Sequence, residues 1–246
     1  MSKIVARTLD FIELFANEKR PLTLSDISRI LDIPFSSCHD VLQELQARGY
    51  VYEIGPRAGF YPTVRLSNLA KIISQHDPIL LRAEAQLKKL CDEIDESVSL
   101  AIAGDMTASY LIVNEPSHPL RFLVRVGDSV RSLHATSAGK AYLGSLSPEK
   151  LEAYLKTAKL APLTHNTIKS KAGLRTDLEK SNQRGWFLNR EESFEDATTI
   201  SARFNWNNAV YIITIAGTTS RMDSKLERAI KLLTQTARSL DSSARI

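Results

Sequence analysis

The chain has 246 residues, 43% of them hydrophobic and 24% charged. That is length for one or two domains with a sizeable core, and it excludes a mainly disordered chain. No run of about 18 apolar residues occurs, so no membrane span is expected. The net charge of +4 and an isoelectric point near 9.0 hint at a polyanion partner.

The N-terminal stretch MSKIVARTLDFIEL carries Asp10 and Glu13 inside its apolar part. It does not read as a signal peptide, and a cytoplasmic location is expected. The two cysteines, Cys38 and Cys91, suit a reducing compartment and imply no disulfide framework. Ile4, Val5, Leu9, Ile12 and Phe15 stand at helical spacing over 4–16, and the pattern breaks at Asn17–Pro21. Thr23 or Ser25 can cap a second helix with Asp26 in its first turn and Ile27, Ile30 and Leu31 on its apolar face. A short turn at 31–34 follows. Ser36 or Ser37 can cap a third helix that buries Cys38, Val41, Leu42 and Leu45, and Gly49 suits the left-handed position after it. Two aromatic, β-branched runs, 50–54 and 60–63, flank a Gly/Pro loop and read as a hairpin. Helix, helix, turn, helix, hairpin is the winged helix-turn-helix order over 1–65.

Residues 66–75 predict a linker helix ending before Asp77-Pro78, and 79–94 a strong amphipathic helix. The period then changes. Segments 98–103, 110–114 and 121–125 alternate like strands, the first two around a Gly104-Asp105 turn. Segments 138–143, 148–156 and 171–184 look helical, 186–189, 199–204 and 209–216 strand-like, and 224–240 helical. The run 199–216 around Asn205–Asn208 looks antiparallel. The region 77–246 therefore reads as an α+β sensor-like domain rather than a doubly wound parallel sheet.

Few motifs point to catalysis. Ser137 and Lys140 fit S-x-x-K, but no K-T-G or S-D-N follows. Gly139-Lys140 lacks the remaining glycine and the hydroxyl residue of a phosphate-binding loop. The segment reads better as a loop feeding a helix N-terminus, where Thr136 and Ser137 either hold an anion such as a carboxylate or only cap the helix. The five histidines lie far apart and lack metal-ligand spacing, so no metal site and no cofactor are expected. His134 reads as a structural hydrogen-bonding residue.

Three segments resemble the IclR family of bacterial transcription regulators: LTLSDISRILDIPFSSCHDVLQELQARGYV (22–51), RVGDSVRSLHATSAGKAYL (125–143) and GWFLNREESFEDATTISARFNWNNAVYIITIAG (185–217). The resemblance runs nearly end to end. It implies a winged DNA-binding domain, a linker helix, and a C-terminal GAF-like effector domain with an antiparallel sheet. It also implies homodimers, often paired into homotetramers, that bind a double-stranded DNA operator and a small-molecule effector.

A helix-turn-helix sets the exposed start of its second helix into the major groove. Here that start is Phe35, Ser36, Ser37, His39 and Asp40, with Gln43 one turn on; Thr23 and Ser25 complete the DNA-contact candidates. Gln43 can bond adenine, Phe35 can touch a thymine methyl, and Asp40 can accept from a cytosine amine. The family usually has Lys at the position of Phe35 and Arg at that of Asp40, so both replacements remove positive charge. Arg57, at the hairpin tip, suits the minor groove or a phosphate, or is a solvated loop residue. Arg7, Arg20, Arg29 and Arg48 are weaker phosphate candidates.

The resemblance implies an effector pocket built from Leu133, Ala135, Thr136, Ser137, Asn189, Thr199, Thr214 and Ala216. Asn189 stands where the family often has Asp, and Thr199 where it usually has Cys. A polar organic ligand, a small or aromatic carboxylate, is the expectation. Phe122, Leu133, Trp186, Phe187 and Phe194 either wall this pocket or belong to the core.

Through residue 66 the chain has eight Lys and Arg and eight Asp and Glu, so the winged segment is neutral and the whole +4 lies beyond it. That basic excess favours an anionic effector, while the neutral winged segment leaves a second reading open: a small-molecule-binding module whose winged domain makes protein contacts rather than binding DNA.

Overall fold

The first helix carries more apolar residues than one buried face can hold, so some of them stay exposed. In a computed structural model that describes residues 3–55, 58–104, 106–119, 121–122, 124–130 and 132–242, helix α1 (Lys3–Glu18) buries Phe11, Leu14 and Phe15 and leaves Ile4, Val5 and Leu9 exposed. Helices α2 (Leu24–Leu31) and α3 (Phe35–Ala47) follow. The chain divides into two compact units, Met1–Asp77 and Pro78–Ile246.

Thr23, not Ser25, caps α2. Its hydroxyl accepts from the Asp26 backbone N–H at 3.1 Å while the Asp26 carboxylate accepts from the Thr23 N–H, a reciprocal capping box. Hydrogen bonds from the Thr23 side chain and backbone hold the Asp26 carboxyl at about 2, below its usual range. Neither Ser36 nor Ser37 caps α3: Pro34 occupies the cap position without a side-chain bond, so both serines fall inside the first turn. The 31–34 turn is fixed by Asp32 at φ 52° and by the Ile33 N–H donating to the Ser28 carbonyl. Cys38, Leu42 and Leu45 are buried, and Gly49, at φ 72°, ends the turn after α3.

Strands β1 (Val51–Gly55) and β2 (Gly59–Pro62) form the expected antiparallel hairpin. Its tip, including Arg57, lies outside the described residues. Leu22 and Phe60 exchange backbone hydrogen bonds, which ties the hairpin to the loop before α2. Gly59 permits this approach: a Cβ there would lie 2.7 Å from the Leu22 carbonyl carbon. Helix α4 (Arg65–Gln75) is amphipathic but buries no residue fully.

The second unit is a five-stranded antiparallel sheet of order β4-β3-β7-β6-β5, with β3 Ser97–Gly104, β4 Thr107–Asn114, β5 Phe187–Arg190, β6 Ala197–Trp206 and β7 Ala209–Thr218. The β6–β7 turn places Asn207 and Asn208 at φ 47° and 64°, the paired left-handed geometry that matches the twist of a two-residue hairpin. Helices α5 (Pro78–Ile94) and α9 (Thr219–Leu240) cover one face over Val98, Leu100, Ile200, Phe204, Ile213 and Ile215. Helices α6 (Ser137–Leu143), α7 (Pro148–Thr157) and α8 (Lys171–Arg184) lie with the other face. Helix α8 has a serine cap, Ser170, and a left-handed glycine, Gly185, which is why its predicted bounds match.

The strand expected at 121–125 does not form among the described residues. Arg125 and Asp128 close a turn instead, and the backbone of residues 127–130 bonds to the first half of β4. Asp105, in the expected β3–β4 turn, lies outside the described residues. No described helix is long and apolar enough to cross a membrane.

Replacing Thr23 by Ala removes the cap of α2. Urea unfolding of the first unit is expected to show a loss of about 1 kcal/mol. Because the Asp26 carboxyl is depressed, its contribution is present above the ordinary carboxylate range and is lost as the pH falls toward 2.

Candidate functional sites

Strand alternation produces the cavity. On the face toward α5 and α9 the central strands carry large aliphatic residues; on the opposite face the same strands carry Ser97, Ser99, Thr199, Ser201 and Thr214. Register aligns them in two rows across the sheet. Ser99, Thr214 and Ser201 are successive partners on β3, β7 and β6, and Ser97, Ala216, Thr199 and Asn189 follow on β3, β7, β6 and β5. Small side chains in adjacent rows leave a cavity of about 110 Å³ over the sheet, closed by Thr136, Ser137 and Ala138, by Phe122 and Val124, and by Ser193 and Phe194.

Hydroxyls form a continuous chain in and beneath its floor. Ser137 Oγ lies 2.7 Å from Thr199 Oγ1 and 2.8 Å from Ser201 Oγ, and Ser201 Oγ lies 2.8 Å from Thr214 Oγ1. Thr136 Oγ1 donates to the Ser132 carbonyl and accepts from the Gly139 N–H, capping α6. Among the described residues no Lys, Arg, His, Asp or Glu lines the cavity. Among the described residues polar recognition would come from hydroxyls, the Asn189 amide and the Tyr110 phenol.

Lys140 points away from Ser137. Its side chain is fully buried, with Nζ 2.7 Å from Glu192 Oε1 and 3.1 Å from Asp177 Oδ2. Ser137 and Lys140 are thus two separate structural elements, not the acylating pair that S-x-x-K would require. Burial pushes the Glu192 carboxyl up against the pull of Lys140. The ion pair fastens the loop after β5 to α6. Asn189 adds to it, accepting from the Glu192 N–H at 2.7 Å and donating to Ser193 Oγ at 2.8 Å. His134 bonds Ser132 Oγ and the Ala161 carbonyl through its two ring nitrogens, a structural role. Among the described residues no group of three or more potential metal ligands occurs.

Six of the eight expected pocket residues line the cavity: Thr136, Ser137, Asn189, Thr199, Thr214 and Ala216. Leu133 instead borders a neighbouring open cleft, and Ala135 is buried away from both. Phe122 and Phe194 are wall residues, whereas Phe187 is core and Trp186 packs at the margin of the other core under Arg184. The residues that sequence reasoning missed are chiefly Ser97, Ser99, Tyr110 and Ser193. An unusual run of serines in an otherwise aliphatic strand, SVSLAIA, was the available signal.

In the first unit, α3 presents Ser36, His39, Asp40 and Gln43 to solvent, with Phe35 55% exposed at its start. Ser37 is half-buried on the side facing α1 and α4. Thr23 is committed to capping α2, and Ser25 is exposed in that helix's first turn. Asp40 lies 3.9 Å from His39 Nδ1. Arg48 pairs with Glu44, and Arg20 and Arg29 with Asp26, so these three cations are partly neutralised.

Two family models match the chain: the "Bacterial transcriptional regulator IclR C-terminal" over residues 71–242 and the "IclR helix-turn-helix domain" over residues 4–55. The chain is 25% identical over 190 residues to the transcriptional repressor IclR of Escherichia coli, covering 76% of this chain and 69% of that protein. It is 29% identical over 237 residues to the HTH-type transcriptional regulator TtgV of Pseudomonas putida, covering 95% and 88%. Among solved structures, an IclR homolog from Microbacterium hydrocarbonoxydans complexed with 4-hydroxybenzoate superposes with a TM-score of 0.74 at 21% identity, covering 99% of each chain. An IclR-type regulator from Alicyclobacillus acidocaldarius superposes at 0.76 and 19%, covering 98% of each.

Replacing Lys140 by Met leaves Glu192 and Asp177 buried without their cation. A loss of about 3 kcal/mol is expected in chemical denaturation at neutral pH. The raised Glu192 carboxyl works in the opposite sense to Asp26: it favours the fold below the ordinary carboxylate range and ceases to do so as the pH rises through its folded value. The penalty of the substitution should therefore shrink as the pH falls below neutral, because burial makes the Glu192 carboxyl easier to protonate than an exposed one.

Proposed function

Given that the chain belongs to the IclR family of bacterial transcriptional regulators, and is a DNA-binding regulator rather than an enzyme, we propose that a small organic effector in the hydroxyl-lined cavity sets its operator affinity. The observation that carries this reading is the cavity itself, built by small polar residues in register on four strands. Its size favours a compact ligand, well below the several hundred Å³ of drug-sized pockets. An aromatic or short aliphatic molecule with one polar end fits the mixture of Phe122, Val124 and Phe194 with serines and threonines. A carboxylate end would be held by hydroxyl and amide donors rather than by a cation.

DNA reading is assigned to α3: Phe35, Ser36, His39, Asp40 and Gln43 enter the major groove, with Ser37 at the helix flank, Ser25 toward the backbone, and Arg57 as a candidate for the minor groove or a phosphate. The protein acts in the cytoplasm, as a homodimer or a pair of dimers. Ile4, Val5 and Leu9 on α1 and Leu69, Ile72 and Ile73 on α4 support a second copy as the partner of the first unit, because together they expose an apolar surface around an open groove. The effector acts by favouring one spacing of the paired winged domains over another, with α4 as the connecting element.

Gel shifts on DNA upstream of its own gene test the reading. Sequence-specific binding with only a modest dependence on salt is expected, weakened about tenfold by Gln43→Ala. Binding that ignores sequence, or is unchanged in this variant and in Ser36→Ala, favours instead a winged domain used for protein contacts. In a thermal-shift screen, 4-hydroxybenzoate or short carboxylates should raise the apparent stability, and the same compound should change the gel-shift midpoint. Replacing Ile72 and Ile73 together by Glu should lower the mass measured by sedimentation from dimer to monomer; an unchanged mass places the interface elsewhere.

A further inference from the structure

The cavity shares a wall with a larger and more open cleft of about 810 Å³ bordered by Leu133, Tyr154, Lys159 and Leu163. Thr136, Ser193 and Phe194 touch both spaces. Two of them are fixed: Thr136 caps α6, and Ser193 is held by the Asn189 amide. Phe194 differs. The residue contributes to the inner wall yet is 53% exposed, an unusual state for an aromatic that borders a cavity.

The surrounding loop is built to let this one residue move while its base stays in place. Before Phe194, Glu192 is anchored by Lys140, its carbonyl accepts from Thr167 Oγ1 at 2.7 Å, and the Glu191 carbonyl accepts from Thr164 Oγ1 at 2.5 Å. After Phe194, the Asp196 carbonyl accepts from the Thr219 N–H, and the Ala197 carbonyl from the Glu191 N–H. Glu191 and Asp196 both sit in the left-handed region, at φ 57° and 54°, and bracket the exposed tip. A turn clamped at both ends with an apolar tip between two cavities has the form of a hinged door.

We infer that Phe194 is the gate of the effector cavity: small organic molecules enter from the open cleft, and the ring sets the size that passes. This rests on the cavity being the effector site, but the gate is testable without knowing the effector. Ser99 lies on the cavity floor away from the cleft, and Ser99→Cys is nearly isosteric. The probe is methyl methanethiosulfonate, with labelling of residue 99 followed by peptide mass. Labelling should be slow in Ser99→Cys and at least about tenfold faster when Phe194→Ala is added, because the substitution removes a closed state that must otherwise open. Adding Leu163→Ala, which trims the cleft but no wall of the cavity, should leave the rate unchanged. Should the Ser99 variant fold poorly by circular dichroism, Ala216→Cys on the same floor reports the same rates. Equal labelling with and without Phe194, or equal acceleration by the Leu163 substitution, overturns the gate. A failed ligand screen alongside accelerated labelling would count against the effector reading and leave the gate standing.

Discussion

The second unit depends on how closely α6 can lie against its neighbours. Gly139 makes this possible: a Cβ there would fall 2.4 Å from Leu133 Cα and 2.6 Å from the Leu133 and Ser132 carbonyl oxygens, and those are backbone atoms that cannot swing aside. With the approach secured, Ser137 reaches the hydroxyls of β6, Thr136 reaches the Gly139 N–H, and Lys140 is driven into a buried position where only carboxylates can satisfy it. Those carboxylates come from α8 and from the loop after β5. One short helix therefore fixes the floor contact, one wall and the base of the outer loop.

The same helix shows why charge and chemistry must be placed before they are interpreted. Ser137 and Lys140 stand three residues apart in a pattern associated with acyl transfer, but on this helix their functional groups diverge. The charge of Lys140 is consumed by Glu192 and Asp177, so it creates no anion site in the cavity. A ligand here meets neutral donors in a space with apolar walls, where hydrogen-bond geometry and size discriminate more than net charge does. The first unit behaves alike. Its winged segment is electrically neutral, and several of its arginines are paired within the domain. DNA affinity must then come from a few placed contacts, not from a broad basic surface.

Much of this was legible in the sequence because local chemistry and long-range packing agree. The order of helices and hairpin in the first 65 residues, the serine cap and terminal glycine of α8, and the Asn-Asn turn between β6 and β7 are each dictated by short-range rules. The misreadings occur where alternation has another cause. Phe122 and Val124 alternate because both face the cavity, not because their backbone joins a ladder, and this imitated a strand at 121–125. Ser36 and Ser37 had the chemistry of caps, but Pro34 already begins the helix. Ser97 and Ser99 went unassigned because their role depends on β3 lying beside β7, a pairing between residues more than a hundred positions apart that periodicity cannot reveal.

The central claim is that a neutral winged domain reads a specific DNA sequence through α3. Its most direct test is the salt dependence of affinity, measured by fluorescence anisotropy for the upstream DNA of its own gene and for a scrambled duplex of equal length. A preference of at least about a thousandfold for the native sequence, with a shallow slope of log affinity against log salt, is predicted, because few phosphates are neutralised per copy. Equal affinity for both duplexes with the same steep slope would mean that the chain binds DNA only as a polyanion, and would contradict the account.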